Sequence, residues 1–165
     1  MEQQPSTQGS AGTGQMNYAA LAVAGGGFLG FIGIFLKWFT VEASVAGFSA
    51  SASANGTTDW TGVLAAIAAL VALAGGAAAL IMSDEGIKRM ALAVAAIGGV
   101  LLLIATVAAF FRTGNVDVSL PAAAEGGGLS LNGKAAVGLY ISFLGGVIAT
   151  VGAALALRKT GGAEA

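Results

Sequence analysis

Long apolar blocks alternate with polar ones along this chain. Residues 18–39 (YAALAVAGGGFLGFIGIFLKWF) are apolar throughout until Lys37, beside Trp38. Three more blocks of the same kind follow, at 60–82, 90–111 and 135–157. Each matches the ~20 residues an α-helix needs to cross ~30 Å of hydrocarbon. The pattern predicts an all-α membrane fold, a four-helix transmembrane bundle.

The polar blocks between the spans differ in kind. Residues 83–89 (SDEGIKR) read as a tight turn. Asp84–Lys88 and Glu85–Arg89 are spaced i,i+4, and Ser83 or Asp84 can cap the next helix. Residues 40–59 carry period-two alternation. Val41, Ala43 and Val45 share one strand face, and Phe48, Ala50, Ala52 and Ala54 alternate with Ser49, Ser51 and Ser53. Gly47 separates the runs and Asn55-Gly56 follows them, both turn chemistry. A short β-hairpin is expected there, although Ala and Ser are weak strand formers. In residues 112–134, Val116, Val118 and Leu120 alternate, as do Leu129 and Leu131. A second hairpin could join the first in one outer sheet, a small extracytoplasmic β-hairpin cap.

Three segments result. Residues 1–17 are rich in Gln, Ser, Thr and Gly with one charge, Glu2. They cannot bury enough apolar surface to offset chain entropy, so a disordered cytoplasmic tail is expected. Residues 18–159 form the membrane domain, and 160–165 are a short tail. Cleavage as a signal peptide is not expected. The segment before the first span has no Lys or Arg, and that span exceeds the ~7–15 apolar residues of a signal.

An even number of spans puts both termini on one side. Lys88, Arg89, Arg158 and Lys159 lie on that side, against Lys37, Arg112 and Lys134 on the other. This weak basic excess, with the long outer loops, favours cytoplasmic termini in a plasma membrane. Lys37, Trp38, Trp60 and Phe111 are expected to anchor the opposite interface, since Trp rings prefer the headgroup level and Lys snorkels to it.

Close packing of small residues holds helices together in lipid. Span four repeats Gly138, Ser142, Gly146, Thr150 and Ala154 every four residues, with Gly145, Ala149 and Ala153 beside it. Span one offers Ala22, Gly26, Gly30 and nearby Gly33, span two Ala68, Ala72 and Gly76, and span three Ala91, Ala95 and Gly99. These seams predict a compact bundle; the sharper alternative is that one of them dimerises. LKWFTVEASV and AFFRTGNVDVSL, each with a later Asn-Gly pair, also read as tandem hairpins about an axis along the membrane normal. That match is short and low in complexity.

Composition narrows the chemistry. Charged residues are 9% and hydrophobic ones 56%, with a mean hydropathy of +0.86. Soluble domains carry ~25% charged residues. Net charge is −1, which gives no general attraction to nucleic acid. There are no Cys and no His, so disulfides, thiolate catalysis, His-ligated haem and the usual zinc sites are excluded. No span has a charge near its middle, which disfavours an ion-coupled pathway. The mid-span hydroxyls are Thr106, Ser142 and Thr150, each expected to bond back to its own helix. The triplets Gly25–Gly27 and Gly126–Gly128 lack the Lys-Ser/Thr of a phosphate loop. Glu42, Asp59, Asp117 and Glu125 could gather around Ca²⁺, but their spacing fits no calcium loop and solvated surface charge is the plainer reading.

The segments GIFLKWFTVEASVAGFSAS, DWTGVLAAIAALVAL and AVGLYISFLGGVIATVGAALAL resemble small uncharacterised bacterial four-span membrane proteins. The resemblance covers most of the chain between Tyr18 and Lys159, and it implies a fold and no activity. The architecture is also similar to claudin-type tetraspan proteins, which carry an outer β-sheet on four helices. Their Trp-Gly-Leu-Trp motif and paired Cys are absent, so adhesion or barrier function does not follow. The function expected is non-enzymatic, without cofactor. It is a structural or accessory subunit that packs in the lipid bilayer with itself or with a larger membrane protein complex. The alternative is a small oligomeric channel or facilitator for a neutral or hydrophobic solute, lined by the mid-span hydroxyls.

Overall fold

The computed structural model describes residues 11–45, 48–113, 117–120 and 129–161. In order these form α1 (Ala11–Phe35), β1 (Lys37–Val45), β2 (Phe48–Asn55), a 3-10 turn (Gly56–Thr58), α2 (Trp60–Ile81), α3 (Glu85–Thr113), β3 (Asp117–Leu120), β4 (Leu129–Ala135) and α4 (Val137–Gly161). The stretches Tyr18–Phe35, Trp60–Ile81, Glu85–Arg112 and Val137–Arg158 are long and apolar enough to cross a membrane. Successive helices pack side by side and α4 closes back onto α1, giving a ring of four.

The side chains are sorted by size. Fully buried positions are mostly small: Ala65, Ala69, Ala72, Ala95, Ala149, Ala153 and Ala156. Large apolar side chains such as Leu21, Phe28, Ile67, Leu101, Ile104 and Leu155 point outward and are exposed. In water this would leave far more apolar surface uncovered than a soluble monomer shows. In lipid it is the expected arrangement, because small side chains inside allow close approach and large ones outside meet hydrocarbon.

Glycine pairs set the ring. Each helix carries one Gly-Gly pair that serves both of its neighbours. In α1, a Cβ on Gly26 would lie 2.5 Å from the Ala149 nitrogen of α4, and one on Gly27 would lie 2.5 Å from the Leu73 nitrogen of α2. In α2, Gly75 meets Ala91 and Ala95 of α3, and Gly76 meets Ala24 of α1. In α3, Gly98 meets Ala68 and Ala72 of α2, and Gly99 meets Thr150 of α4. In α4, Gly145 lies on Gly26 and Gly30 of α1, and Gly146 on Leu103 of α3. Adjacent residues on an α-helix are turned by about 100°. That is close to the angle between the two neighbours of a helix in a four-membered ring, so one pair provides both close approaches.

The two expected hairpins form one antiparallel sheet of order β2-β1-β4-β3. Their outer strands are β2 and β3, and β1 pairs with β4 from Phe39 opposite Ala135 to Val45 opposite Leu129. This order does not follow the tandem repeat read from the sequence. A two-fold relating the hairpins would put equivalent strands, β1 with β3 or β2 with β4, at the centre. The central pair is instead β1 with β4.

Several boundaries differ from the sequence reading; α4, for one, runs on to Gly161, past the expected end at 157 and into the expected tail 160–165. α1 starts at Ala11, so the backbone of 11–17 continues the helix instead of belonging to a tail. Extending a formed helix costs far less than nucleating one. The remaining tail, 1–10, lies outside the described residues, as do 162–165. α3 starts at Glu85, so most of the charged turn is helical. Asp84 caps it, its Oδ1 accepting from the Ile87 N–H at 3.1 Å. Glu85 then pairs with Lys88 at 2.9 Å, spaced i,i+3. Finally, α1 ends at Phe35, and Lys37, Trp38 and Phe39 belong to β1.

Candidate functional site

The end of α1 shows why that helix stops. Gly33 is one of its last carbonyl-bearing residues, where no further turn supplies donors. Its oxygen accepts from the Leu36 N–H at 3.3 Å and from the Trp38 indole Nε1–H at 3.0 Å. Register slips between Lys37 opposite Asn55 and Phe39 opposite Ala54, leaving Trp38 in a bulge. The bulge turns the indole inward, and the Trp38 carbonyl accepts from the Ala136 N–H at 2.8 Å. Trp38 is 1% exposed and packs with Ile34, Ala109 and Leu139. It is therefore a plug between bundle and sheet, not the headgroup-level anchor expected from its position beside Lys37.

Glycines let the plug fit. Gly56 lies flat on the indole: a Cβ there would be 2.7 Å from Cε2 and 2.9 Å from the Ile34 oxygen. Gly62, in the first turn of α2, is pressed against the Gly56 carbonyl. The Asn55-Gly56 pair reads in the sequence as turn chemistry. Here the glycine answers a packing demand, while Asn55 Oδ1 accepts from the Thr57 and Thr58 hydroxyls at 2.9 and 2.8 Å.

Around this junction lie the remaining expected anchors. Lys37 is exposed, and so are Trp60 and Phe111. The Arg112 guanidinium sits 5.8 Å from the centre of the Trp60 ring and 3.4 Å from Asp59 Oδ2. Asp59 also accepts from the Thr61 hydroxyl at 2.6 Å. Lys134 pairs with Glu42 across β1 and β4 at 3.2 Å. Such exposed pairs are worth ~0–1 kcal/mol. Glu42 and Asp59 are thus held by different cations in different places, and Asp117 and Glu125 have no described side chains. Among the described residues no group of three or more His, Cys, Asp or Glu gathers to hold a metal.

The expected packing residues all face neighbouring helices. Gly26, Gly76, Gly99 and Gly146 are members of the four pairs. Gly30 lies under the fully buried Leu102, and Gly138 faces the Gly33 carbonyl and Leu36. The Thr150 hydroxyl donates to its own helix at Gly146 O, 2.8 Å, and Thr106 to Leu102 O, 2.9 Å. Ser142 departs from that expectation. Its hydroxyl crosses to α1 and donates to Gly30 O at 3.2 Å. Gly33 opposite it leaves room for no side chain, so the two helices are near enough for the hydroxyl to reach. Ser142→Ala is expected to lower stability in detergent by about 0.6 kcal/mol, the usual worth of such a bond, with wild-type helix content by circular dichroism. The second members of the glycine pairs, Gly27, Gly75 and Gly98, were not singled out by four-residue spacing. The signal that finds them is the Gly-Gly doublet present in every span.

Two shallow apolar grooves run along the outside. One of about 340 Å³ lies between α3 and α4, walled by Phe110, Tyr140 and Phe143. The other, about 280 Å³, lies between α2 and α3 below Trp60. Neither presents a nucleophile with a base. No family model matches the chain, and no curated protein or solved structure is significantly similar to it.

Proposed function

We propose that this chain is a non-enzymatic, multi-pass protein of a bacterial plasma membrane, with cytoplasmic termini and its sheet outside. In this reading it is a structural or accessory subunit that associates with its own copies or with a larger membrane complex. The observation that carries the reading is the use made of the polar groups. All three mid-span hydroxyls are spent on backbone carbonyls. The sheet, by contrast, offers an exposed polar surface of some 360 Å³ concavity at Glu42, Ser44, Ser49, Ser51 and Asn132. Four seams that close the ring are not free to bind a partner, and the exposed polar face of the sheet is the surface favoured for association. The channel reading has no specific support, because the hydroxyls that would line it are occupied.

The test is cross-linking in cells from a single Cys at Ser49, a unique probe because the chain has none of its own. Mass spectrometry is expected to find the probe joined to another membrane protein or to a second copy. A chain that links to nothing, and is purified in mild detergent as a partner-free monomer, would contradict the subunit reading.

A further inference from the structure

We infer that β2 is a docking edge for a second copy of this chain, the two β2 strands pairing antiparallel to merge both sheets. The inference rests on the subunit reading and names its partner and surface.

The two edges of the sheet are built differently. β3 is four residues long, begins at the charged Asp117, and is followed in the sequence by Pro121. Short length, charge and proline are the devices that keep an edge from pairing. β2 has none of them. It is eight residues long, FSASASAN, without charge or proline. Every residue from Phe48 to Ser53 is exposed. Its ladder with β1 is regular from Ala54 opposite Phe39 to Phe48 opposite Val45, with the only irregularity at the base. Among the described residues no strand pairs with its outer edge, and an unguarded edge of this length is a template for another strand.

The composition of β2 selects its own copy as the occupant. Serines and small apolar residues alternate, so any antiparallel register with a residue opposite its own copy sets Ser against Ser and Ala against Ala. Ser51 opposite the copy's Ser51, for example, puts Ala50 opposite the copy's Ala52. The polar face of one sheet then continues into the polar face of the other. Within the sheet the same serine register recurs from strand to strand: Ser49 is opposite Ser44, Ser44 opposite Ser130, and Ser130 opposite Ser119. An uncharged strand meets no repulsion from its twin. Because each copy spends its β2 and leaves only the guarded β3, the pairing is isologous and closes at a dimer.

The test uses the full chain in mild detergent, where copies meet in either orientation. Single-Cys variants Ala50→Cys, Ser51→Cys and Ala52→Cys are oxidised and compared with Ser119→Cys on the guarded edge. The residue at the two-fold faces itself within the ~4.4–6.8 Å Cα separation that a disulfide spans. One of the three is expected to give a strong cross-linked dimer, its neighbours less, and Ser119→Cys none. Ser51→Lys, at an exposed position, is expected to weaken the dimer at least tenfold with unchanged helix content by circular dichroism. A β2 signal no stronger than that of Ser119→Cys, or a dimer indifferent to Ser51→Lys, overturns the inference. If the chain still associates in that case, the subunit reading stands with another surface. If it is monomeric and links to nothing in cells, both fall.

Discussion

Gly62→Ala is expected to destabilise the protein by more than about 3 kcal/mol, beyond the usual range for an overpacked site. The new methyl group lands on the carbonyl of Gly56. Gly56 cannot retreat, because the Trp38 ring and the Ile34 carbonyl already lie against it. Trp38 is fixed in turn by its bond to Gly33 and by the bulge in β1. A single methyl therefore pushes through three backbone segments into the core beneath the sheet. Thermal unfolding in detergent micelles, followed by circular dichroism and by Trp fluorescence, checks it. The expected result is a midpoint lowered by many degrees, or a chain that no longer purifies folded, with the Trp38 emission shifted to that of an exposed indole. A midpoint within a degree of wild type would show that α2 does not start against the Gly56 turn.

Within the triplet Gly25–Gly27, neighbouring alanine substitutions are expected to act in opposite directions. Gly25 has nothing within 4 Å of where a Cβ would stand. Gly25→Ala should therefore gain helix propensity, about 0.5–1 kcal/mol. Gly26→Ala drives a methyl into the backbone of α4, and Gly27→Ala into that of α2. Backbone cannot swing aside as a side chain does. Each is expected to cost about 3 kcal/mol, the upper end for overpacking, by forcing two helices apart. The comparison removes composition as a variable, since all three substitutions make the same chemical change in the same helix. Midpoints in the order Gly25→Ala, wild type, then the other two support the ring. Three equal midpoints would contradict it.

These glycines show how far the sequence could be read. The four helices, both hairpins and their union in one sheet follow from apolar block length and period-two alternation. The second span, 60–82, matches α2 to within one residue, whereas the third, 90–111, misses the charged first turn of α3 from Glu85. What escaped depended on contacts between distant segments. No Gly or Pro stop marks the end of α1: Trp38 and Phe39 continue the apolar run past Lys37. The helix ends because the Trp38 indole supplies the missing donor to Gly33, which becomes visible only when the strand folds back. Ser142 and Thr150 carry similar hydroxyls on one helix face, yet only Ser142 crosses to a neighbour. The choice is made by Gly33 on α1, over a hundred residues away. The paired glycines lay in plain view, but a search for four-residue spacing reads one face at a time. A helix in a ring has two faces to serve.

The ring and its sheet also divide the labour of the molecule. Close packing consumes the small residues of all four helices, so the bundle interior has no polar lining among the described residues beyond three bonded hydroxyls and Thr61. Variation in function would then fall on the sheet, whose strands are joined to α1 and α4 through single residues, Leu36 and Ala136. These one-residue connections tie the sheet closely to the end of the bundle.

The most direct test of the account is the sidedness of two single-Cys variants in intact cells. Asn132→Cys lies on the exposed face of β4, and Ser83→Cys lies in the turn between α2 and α3 at the opposite end of the bundle. A membrane-impermeant thiol reagent is expected to label Asn132→Cys in intact cells and Ser83→Cys only after the membrane is opened. Labelling of both positions, or of Ser83→Cys alone, in intact cells would contradict a membrane-spanning bundle that carries its sheet outside.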